Sequence, residues 1–289
     1  MSHMPLFSNE HGEITQYQKA EGIDIINIQH HLCSASVSLY GGQVLTWQLK
    51  GQQPVFWLSD ASLYQTGKAI RGGIPLCWPW FGDYKDGGNH GFARTMQWQL
   101  IDAEITEDAV VLTLSTAGEK VSPLWSSPFK LLQKLTFSTE FTQALTIDNV
   151  SELPVKFSSA LHSYFQVSSP LYTTVARLNN VQFDDKITSR VGQQDVRENC
   201  LGPLDRIYYN HDIQQIKDTG WQRIIEVESK QCGQWVLWNP GQEIAKTMAD
   251  IHVGGELEYI CLEAANTQWQ TLPPHESVTL AQRISIIPL

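Results

Sequence analysis

A carboxylate and an imidazole, each set among apolar residues, are the most chemically suggestive side chains of this sequence. Glu263 lies in Tyr259-Ile260-Cys261-Leu262-Glu263-Ala264-Ala265-Asn266, so apolar a stretch that burial of the carboxylate, at least in part, is expected. Ionised carboxylates are costly to bury unless they are paired, hydrogen-bonded or put to use. Desolvation would raise the pKa of Glu263 towards that of a useful general base. His162 lies in Ser158-Ser159-Ala160-Leu161-His162-Ser163-Tyr164-Phe165-Gln166-Val167. In a regular strand Leu161, Phe165 and Val167 share one face, and His162 shares the other with Tyr164 and Gln166, a polar face suited to a cleft. Each residue also has an ordinary alternative: an ion pair with an unseen Arg for Glu263, a hydrogen bond on a sheet surface for His162.

Two loops offer cations. Arg71-Gly72-Gly73-Ile74-Pro75 leads into Leu76-Cys77-Trp78-Pro79-Trp80-Phe81-Gly82, where glycines and prolines among aromatic rings make a rigid, non-repetitive segment with an arginine at its head. Gly87-Gly88-Asn89-His90-Gly91-Phe92-Ala93-Arg94 lets backbone approach a ligand while Asn89, His90 and Arg94 supply donors. Arg71 and Arg94, from separate loops, could clamp a phosphate through charge-assisted bonds; a local ion pair is the plain alternative for each. Asp205 stands next to Arg206, and a salt bridge between them is the simplest explanation of both. His30 and His31 are adjacent and would point to opposite faces of a strand, a poor chelate, and no His-Glu-x-x-His occurs. No metal is expected. Neither a Gly-x-Ser-x-Gly nucleophile motif, a Gly-x-Gly-x-x-Gly dinucleotide motif nor a phosphate-binding P-loop motif is present.

The elements that must position these residues read as strands. Leu145 and Ile147 alternate with Thr146 and Asp148, and Val278, Leu280, Ile284 and Ile286 keep a two-residue period. Similar runs occupy 43–49, 96–105, 109–116, 131–139, 155–167, 223–229, 234–238 and 258–266, punctuated by Gly, Pro, Asn or Asp. Helical candidates are short: Asp60 to Gln65, and Gln242 to Met248 after Pro240-Gly241. Strands without alternating helices predict an all-β antiparallel sandwich. With no linker, repeat or low-complexity tract, residues 1–289 are expected to form one domain, residues 1–10 being either a flexible end or in part a cloning remnant at Ser2-His3-Met4.

The net charge of −10, with no Lys/Arg run, argues against nucleic acid and anionic membrane as partners. There is no run of about 18 uncharged apolar residues, so no membrane span is expected. The five cysteines are scattered and odd in number, which fits a reducing compartment better than a disulfide framework; the start of the chain lacks the order of a signal peptide, and the cytoplasm is the expected location. Most of the ten tryptophans are expected in the core, with a few rings left to line a cleft that suits a pyranose.

Taken in order, Arg71 to Pro75, Trp78 to Gly82, His90 to Arg94, Leu161 to Phe165, Asp205 to Tyr208 and the stretch around Glu263 resemble the hexose-6-phosphate mutarotase (glucose-6-phosphate 1-epimerase) branch of the aldose 1-epimerase superfamily. The resemblance implies a galactose-mutarotase-like β-sandwich with few short helices and a concave cleft. It implies a Glu263 base and a His162 acid that open and reclose the sugar ring, exchanging the α and β anomers of a hexose 6-phosphate, most simply glucose 6-phosphate, with no cofactor and no metal. It makes Arg71 and Arg94 the phosphate-binding arginines and gives Asn89 and Asp205 sugar or phosphate contacts; His90 resembles the first histidine of the wider superfamily. Leu204 departs from the pattern, since many members carry Thr before the Asp. Two alternatives stay open at this point: an epimerase of unphosphorylated aldoses, and a non-catalytic carbohydrate-binding module. Oligomeric state is left open, a monomer being compatible with the sequence.

Overall fold

The computed structural model describes residues 3–193 and 198–289. Its strands follow from alternation of side chains. In Phe129–Phe137 the buried residues are Phe129, Leu131, Gln133, Leu135 and Phe137; in Phe141–Asp148 they are Phe141, Gln143, Leu145 and Ile147. A two-residue period places each set on one face. These strands sit within an eight-stranded sheet ordered Thr173–Thr174, Gln214–Asp218, Arg223–Lys230, Ser277–Pro288, Phe141–Asp148, Phe129–Phe137, Val110–Gly118 and Gln99–Ile105.

A second eight-stranded sheet runs Arg190–Gln193, Gln182–Asp185, Leu204–Tyr208, Gln234–Asn239, Tyr259–Leu272, Val155–Leu161 and Leu76–Cys77, and the short strand Tyr164–Gln166 also pairs with Tyr259–Leu272. The first eight residues of Tyr259–Leu272 are all buried, so this central strand is covered on both faces where it carries Glu263. A five-stranded meander from Met4–Asn9 to Gln43–Leu49 completes the β structure. Strands of all three sheets contribute to one apolar core, which contains Trp47, Trp78, Trp98 and Trp235.

Three expectations need correction. Residues 4–9 are not a loose end: Met4–Asn9 pairs antiparallel with Gly12–Ala20, and the Asn9 side chain closes the turn by accepting from the N–H groups of His11 and Gly12. Asp60 to Gln65 is not helical; Asp60 and Ala61 form a turn in which Ser62 N–H donates to the Ser59 carbonyl and Ala61 N–H to the Ser59 hydroxyl. Serine hydroxyls compete with helix formation in this way. The second helical candidate is a single turn, Gly241–Ala245. Finally, residues 155–167 are not one regular strand, because Val155–Leu161 ends before His162 and the next strand begins at Tyr164.

That interruption is tied to a polar chain through the core. Gln133 donates to the Gly42 carbonyl, Gln143 to Gln133 Oε1, and Gln282 to both Gln143 Oε1 and Ser163 Oγ, with Nε2···O distances of 2.6, 2.6, 2.7 and 3.0 Å. Ser163 Oγ donates back to Gln282 Oε1 at 3.1 Å. All three glutamines and Ser163 are buried. The ladder therefore crosses from the first sheet to the break in the second, beside His162. Burying an amide is costly unless its polar atoms are satisfied in this way. Replacing Gln143 by Leu removes the donor to Gln133 and an acceptor of Gln282, and should cost about 2–4 kcal/mol, the sum of two unsatisfied buried groups. Urea unfolding should show this as a lowered midpoint with an unchanged slope.

Candidate active site

Strand register places the two central residues. Leu161 pairs with Ala264 and Tyr164 with Cys261, so the register is the same on both sides of the break and His162 falls opposite Glu263. Facing residues of an antiparallel pair project from the same side of the sheet. At the break, His162 N–H turns away to the Pro75 carbonyl and Ser163 N–H to the Leu161 carbonyl. On its other flank Glu263 faces Val236, which itself pairs with Ile207. The carboxyl thus has an imidazole on one side and apolar residues on the other.

His162 Nε2 lies 3.5 Å from Glu263 Oε1, and their side chains are only 8% and 2% exposed. Their second polar atoms, His162 Nδ1 and Glu263 Oε2, are buried with no hydrogen-bond partner among the described residues. Burial, and then the charge of Asp205, pushes the Glu263 carboxyl well above the usual range, with Arg94 pulling against it. Burial, followed by His90, Arg94 and Arg71, holds the His162 imidazole well below its ordinary value. The protein surroundings alone therefore favour a neutral carboxylic acid facing a neutral imidazole, whereas the family roles start from an ionised base and a protonated acid. The physical reason is desolvation without a second partner for either group. One proton is shared by the pair in both descriptions.

The remaining candidates converge on the same cleft, of about 740 Å³: Arg71, Asn89, His90, Arg94 and Asp205 line it together with His162 and Glu263. Two glycines make the loops possible. Gly73 has φ +62°, and a Cβ there would lie 2.0 Å from the Val44 carbonyl oxygen; Gly91 has φ +65°, and its Cβ would lie 2.1 Å from that of Trp78. Only glycine fits such approaches. His90, itself at φ +65°, is held from both sides by Gly82: its N–H donates to the Gly82 carbonyl and its Nδ1 accepts from Gly82 N–H at 3.1 Å. Accepting at Nδ1 leaves the neutral ring's proton on Nε2. Burial and the charges of Arg94 and Arg71 push its pKa down to about 3, so His90 is a fixed neutral donor.

The two arginines differ. Arg71 is already engaged: Nε and Nη2 each lie 3.0 Å from Asp250 Oδ2, and Nη1 donates to the Tyr164 hydroxyl at 2.8 Å. Burial works against its charge, but Tyr164 and Asp250 outweigh it and its pKa lies above the ordinary value. Arg94 donates to the Asn89 carbonyl at 2.7 Å and, among the described residues, makes no ion pair. Asp205 is not bridged to Arg206: adjacent strand residues face opposite ways, so Arg206 pairs with Asp185 at 2.9 Å while Asp205 faces the cleft. Burial raises the Asp205 pKa, Lys186 opposes this, and Asp185 adds to it. Leu204 packs in the core, so the hydroxyl that a Thr would carry belongs to the opposite side from the cleft.

Asp250 escaped the sequence reading. Nothing in Thr247-Met248-Ala249-Asp250 marks it, and the only signal was the general expectation that a buried arginine has an acid partner. Lys186 and Trp238, which also line the cleft, were missed for the same lack of local pattern. Among the described residues, no group of three or more His, Cys, Asp or Glu is placed to hold a metal ion, and no helix is long and apolar enough to cross a membrane.

Residues 24–285 match the family model described as aldose 1-epimerase. A protein of Escherichia coli (strain K12) named "Putative glucose-6-phosphate 1-epimerase" is 33% identical over 282 residues, covering 93% of this chain and 92% of the relative. The crystal structure of a "putative mutarotase" from Salmonella typhimurium superposes with a TM-score of 0.89 at 29% identity, covering 99% of this chain and 97% of that one. A galactose mutarotase-like protein from Clostridium acetobutylicum shares the fold with a TM-score of 0.76 at 15% identity, over 97% and 100% of the two chains. The β-sandwich is of this galactose-mutarotase-like kind.

The burial of Glu263 has a consequence for stability. Its folded-state pKa is raised above the unfolded value, so the native chain holds a proton that the unfolded chain has released. Stability present below the unfolded pKa near 4.5 is then lost as pH rises through the folded pKa. Glu263→Gln removes this titration. Denaturation midpoints measured from pH 4.5 to 8.5 should show the variant gaining on the wild type as pH rises; parallel curves would show that Glu263 is not buried at an elevated pKa.

Proposed function

The chain belongs to the aldose 1-epimerase family, and from that membership we propose that it interconverts the α and β anomers of a hexose 6-phosphate, glucose 6-phosphate first among them. It is an isomerase. The observation that carries the assignment is the buried pair: a carboxyl and an imidazole 3.5 Å apart at the floor of a cleft that also holds two arginines. A protein that only bound sugars would need the arginines and rings, but not two titratable groups desolvated side by side.

In the proposed mechanism Glu263 takes the proton of the C1 hydroxyl while His162 gives its proton to the ring oxygen. The C1–O5 electron pair moves to O5, and C1 and O1 form a carbonyl. Rotation about C1–C2 presents the other face of the aldehyde, and the same two groups with roles reversed close the ring. Once the ring is open, Glu263 is protonated and His162 neutral, the state that the protein surroundings favour. The surroundings therefore support the ring-opened stage. A phosphate dianion beside Arg71 and Arg94 would offset the two charges that oppose a protonated His162, which favours the ring-closed stage in turn. His90 Nε2 adds a neutral donor for a sugar oxygen.

One observation favours the rival substrate, an unphosphorylated aldose: Asp250 already balances Arg71. Against it, Arg94 is without an ion pair among the described residues, and Arg71 keeps one N–H on each Nη for a further acceptor.

NMR exchange spectroscopy on sugar anomers separates these cases. Glu263→Gln and His162→Asn should each slow exchange of glucose 6-phosphate by about 10²–10⁴-fold while the fold is kept. Near-wild-type exchange by either variant at saturating substrate would remove that residue from the chemistry. Arg94→Ala should lower kcat/KM for the 6-phosphate relative to free glucose by about 1.5–3 kcal/mol, the scale of a charged hydrogen bond. Equal losses on the two sugars would make Arg94 structural, and a wild-type preference for free glucose would leave a plain aldose epimerase.

A further inference from the structure

Ring packing holds the plane of the His162 imidazole. Its Nδ1 has no hydrogen-bond partner among the described residues. The ring instead stacks on Tyr164, with centroids 4.8 Å apart and planes 7° from parallel, and meets the edges of His90 and Trp238 at 5.5 and 6.2 Å. Tyr164 stacks in turn on Trp57, at 5.9 Å and 21°. Its hydroxyl receives the Nη1 hydrogen bond of Arg71. Arg71, Tyr164 and His162 are therefore joined in series by one hydrogen bond and one ring stack.

The separation within the pair gives this series something to do. At 3.5 Å, His162 Nε2 and Glu263 Oε1 lie just beyond hydrogen-bonding range. His162 Nε2 is therefore not tied to the carboxyl and is free to address the ring oxygen, and proton transfer is sensitive to small errors in that aim. Arg71 is anchored at one end by Asp250 and hydrogen-bonded at the other to Tyr164, so an adjustment of the guanidinium to a bound anion is felt at the Tyr164 hydroxyl.

We propose that Tyr164 is a positioning residue through which a phosphate held by Arg71 aims the His162 ring at the ring oxygen of the sugar, so that the dianion activates the chemistry as well as anchoring the substrate. This rests on the assignment of a hexose 6-phosphate substrate. The sugar phosphate then uses its remote binding energy at C1, far from the phosphate itself. Tyr164→Phe keeps the ring stack and breaks only the link to Arg71.

Detaching the phosphate tests this. Exchange of free glucose anomers is measured by NMR with and without phosphite dianion, on the wild type and on Tyr164→Phe. Phosphite should raise wild-type kcat/KM for glucose about tenfold, the worth of one charge-assisted hydrogen bond, and should lose most of that effect in the variant. On glucose 6-phosphate, Tyr164→Phe should lower kcat about tenfold with less than a twofold change in KM, where a loss of simple binding would do the reverse. A wild type that prefers glucose 6-phosphate yet ignores phosphite would overturn the coupling and leave the substrate assignment standing, and this measurement needs no variant to fold. Equal phosphite activation of wild type and Tyr164→Phe would also overturn it. Faster wild-type exchange of free glucose than of the 6-phosphate would remove the substrate assignment and the coupling together.

Discussion

Withdrawing a carboxyl and an imidazole from water together is the constraint on which the cleft depends. Either group alone, buried among Val236, Ile207 and Trp238, would be a liability of several kcal/mol if charged. Facing one another across adjacent strands, the two can both be neutral or carry opposite charges, and either arrangement limits that cost. Much of the surrounding structure follows from keeping them there. The central strand is buried on both faces over the residues that carry Glu263, and the neighbouring strand is broken so that His162 faces it without completing the ladder. Loops at residues 71–94 bring in positive charge and a neutral histidine from one side, while Asp205 and Asp250 bring negative charge from the other.

Legibility in the sequence tracked how local each cause was. Alternation is local, so strands such as Gln43–Leu49 and Phe141–Asp148, and the all-β class with them, could be read from a few residues at a time. His162 and Glu263 stood out because each contrasts with its immediate neighbours. Their facing register did not, because it is set by pairing between segments about a hundred residues apart. The early meander was under-read: Gly12–Ala20 has few apolar residues, Cys33–Ser38 alternates but with small residues that give little contrast, and Met4–Asn9 is held by an Asn-capped turn more than by its own side chains.

Partners were the least legible feature. Arg71 could be singled out by its place before two glycines, but Asp250 reaches it from 179 residues away. Arg206 shows the opposite error, where an adjacent acid suggested a pair that strand geometry forbids. In both cases the sequence supplies a charge and the fold supplies its neighbour. Gln133, Gln143 and Gln282 gave no signal at all, since a glutamine in a strand is ordinarily a solvated one.

That ladder of glutamines also bears on how sequences of this kind can diverge. Each amide donates to the next in one direction, from Gln282 through Gln143 and Gln133 to the Gly42 carbonyl. Changing one position strands polar atoms on its neighbours, whereas changing all of them to well-packed apolar residues strands far fewer. The stepwise route between the two solutions passes through intermediates worse than either end. The three positions, dispersed over 150 residues of chain, are therefore energetically coupled, and the cost of changing one depends on what stands at the other two.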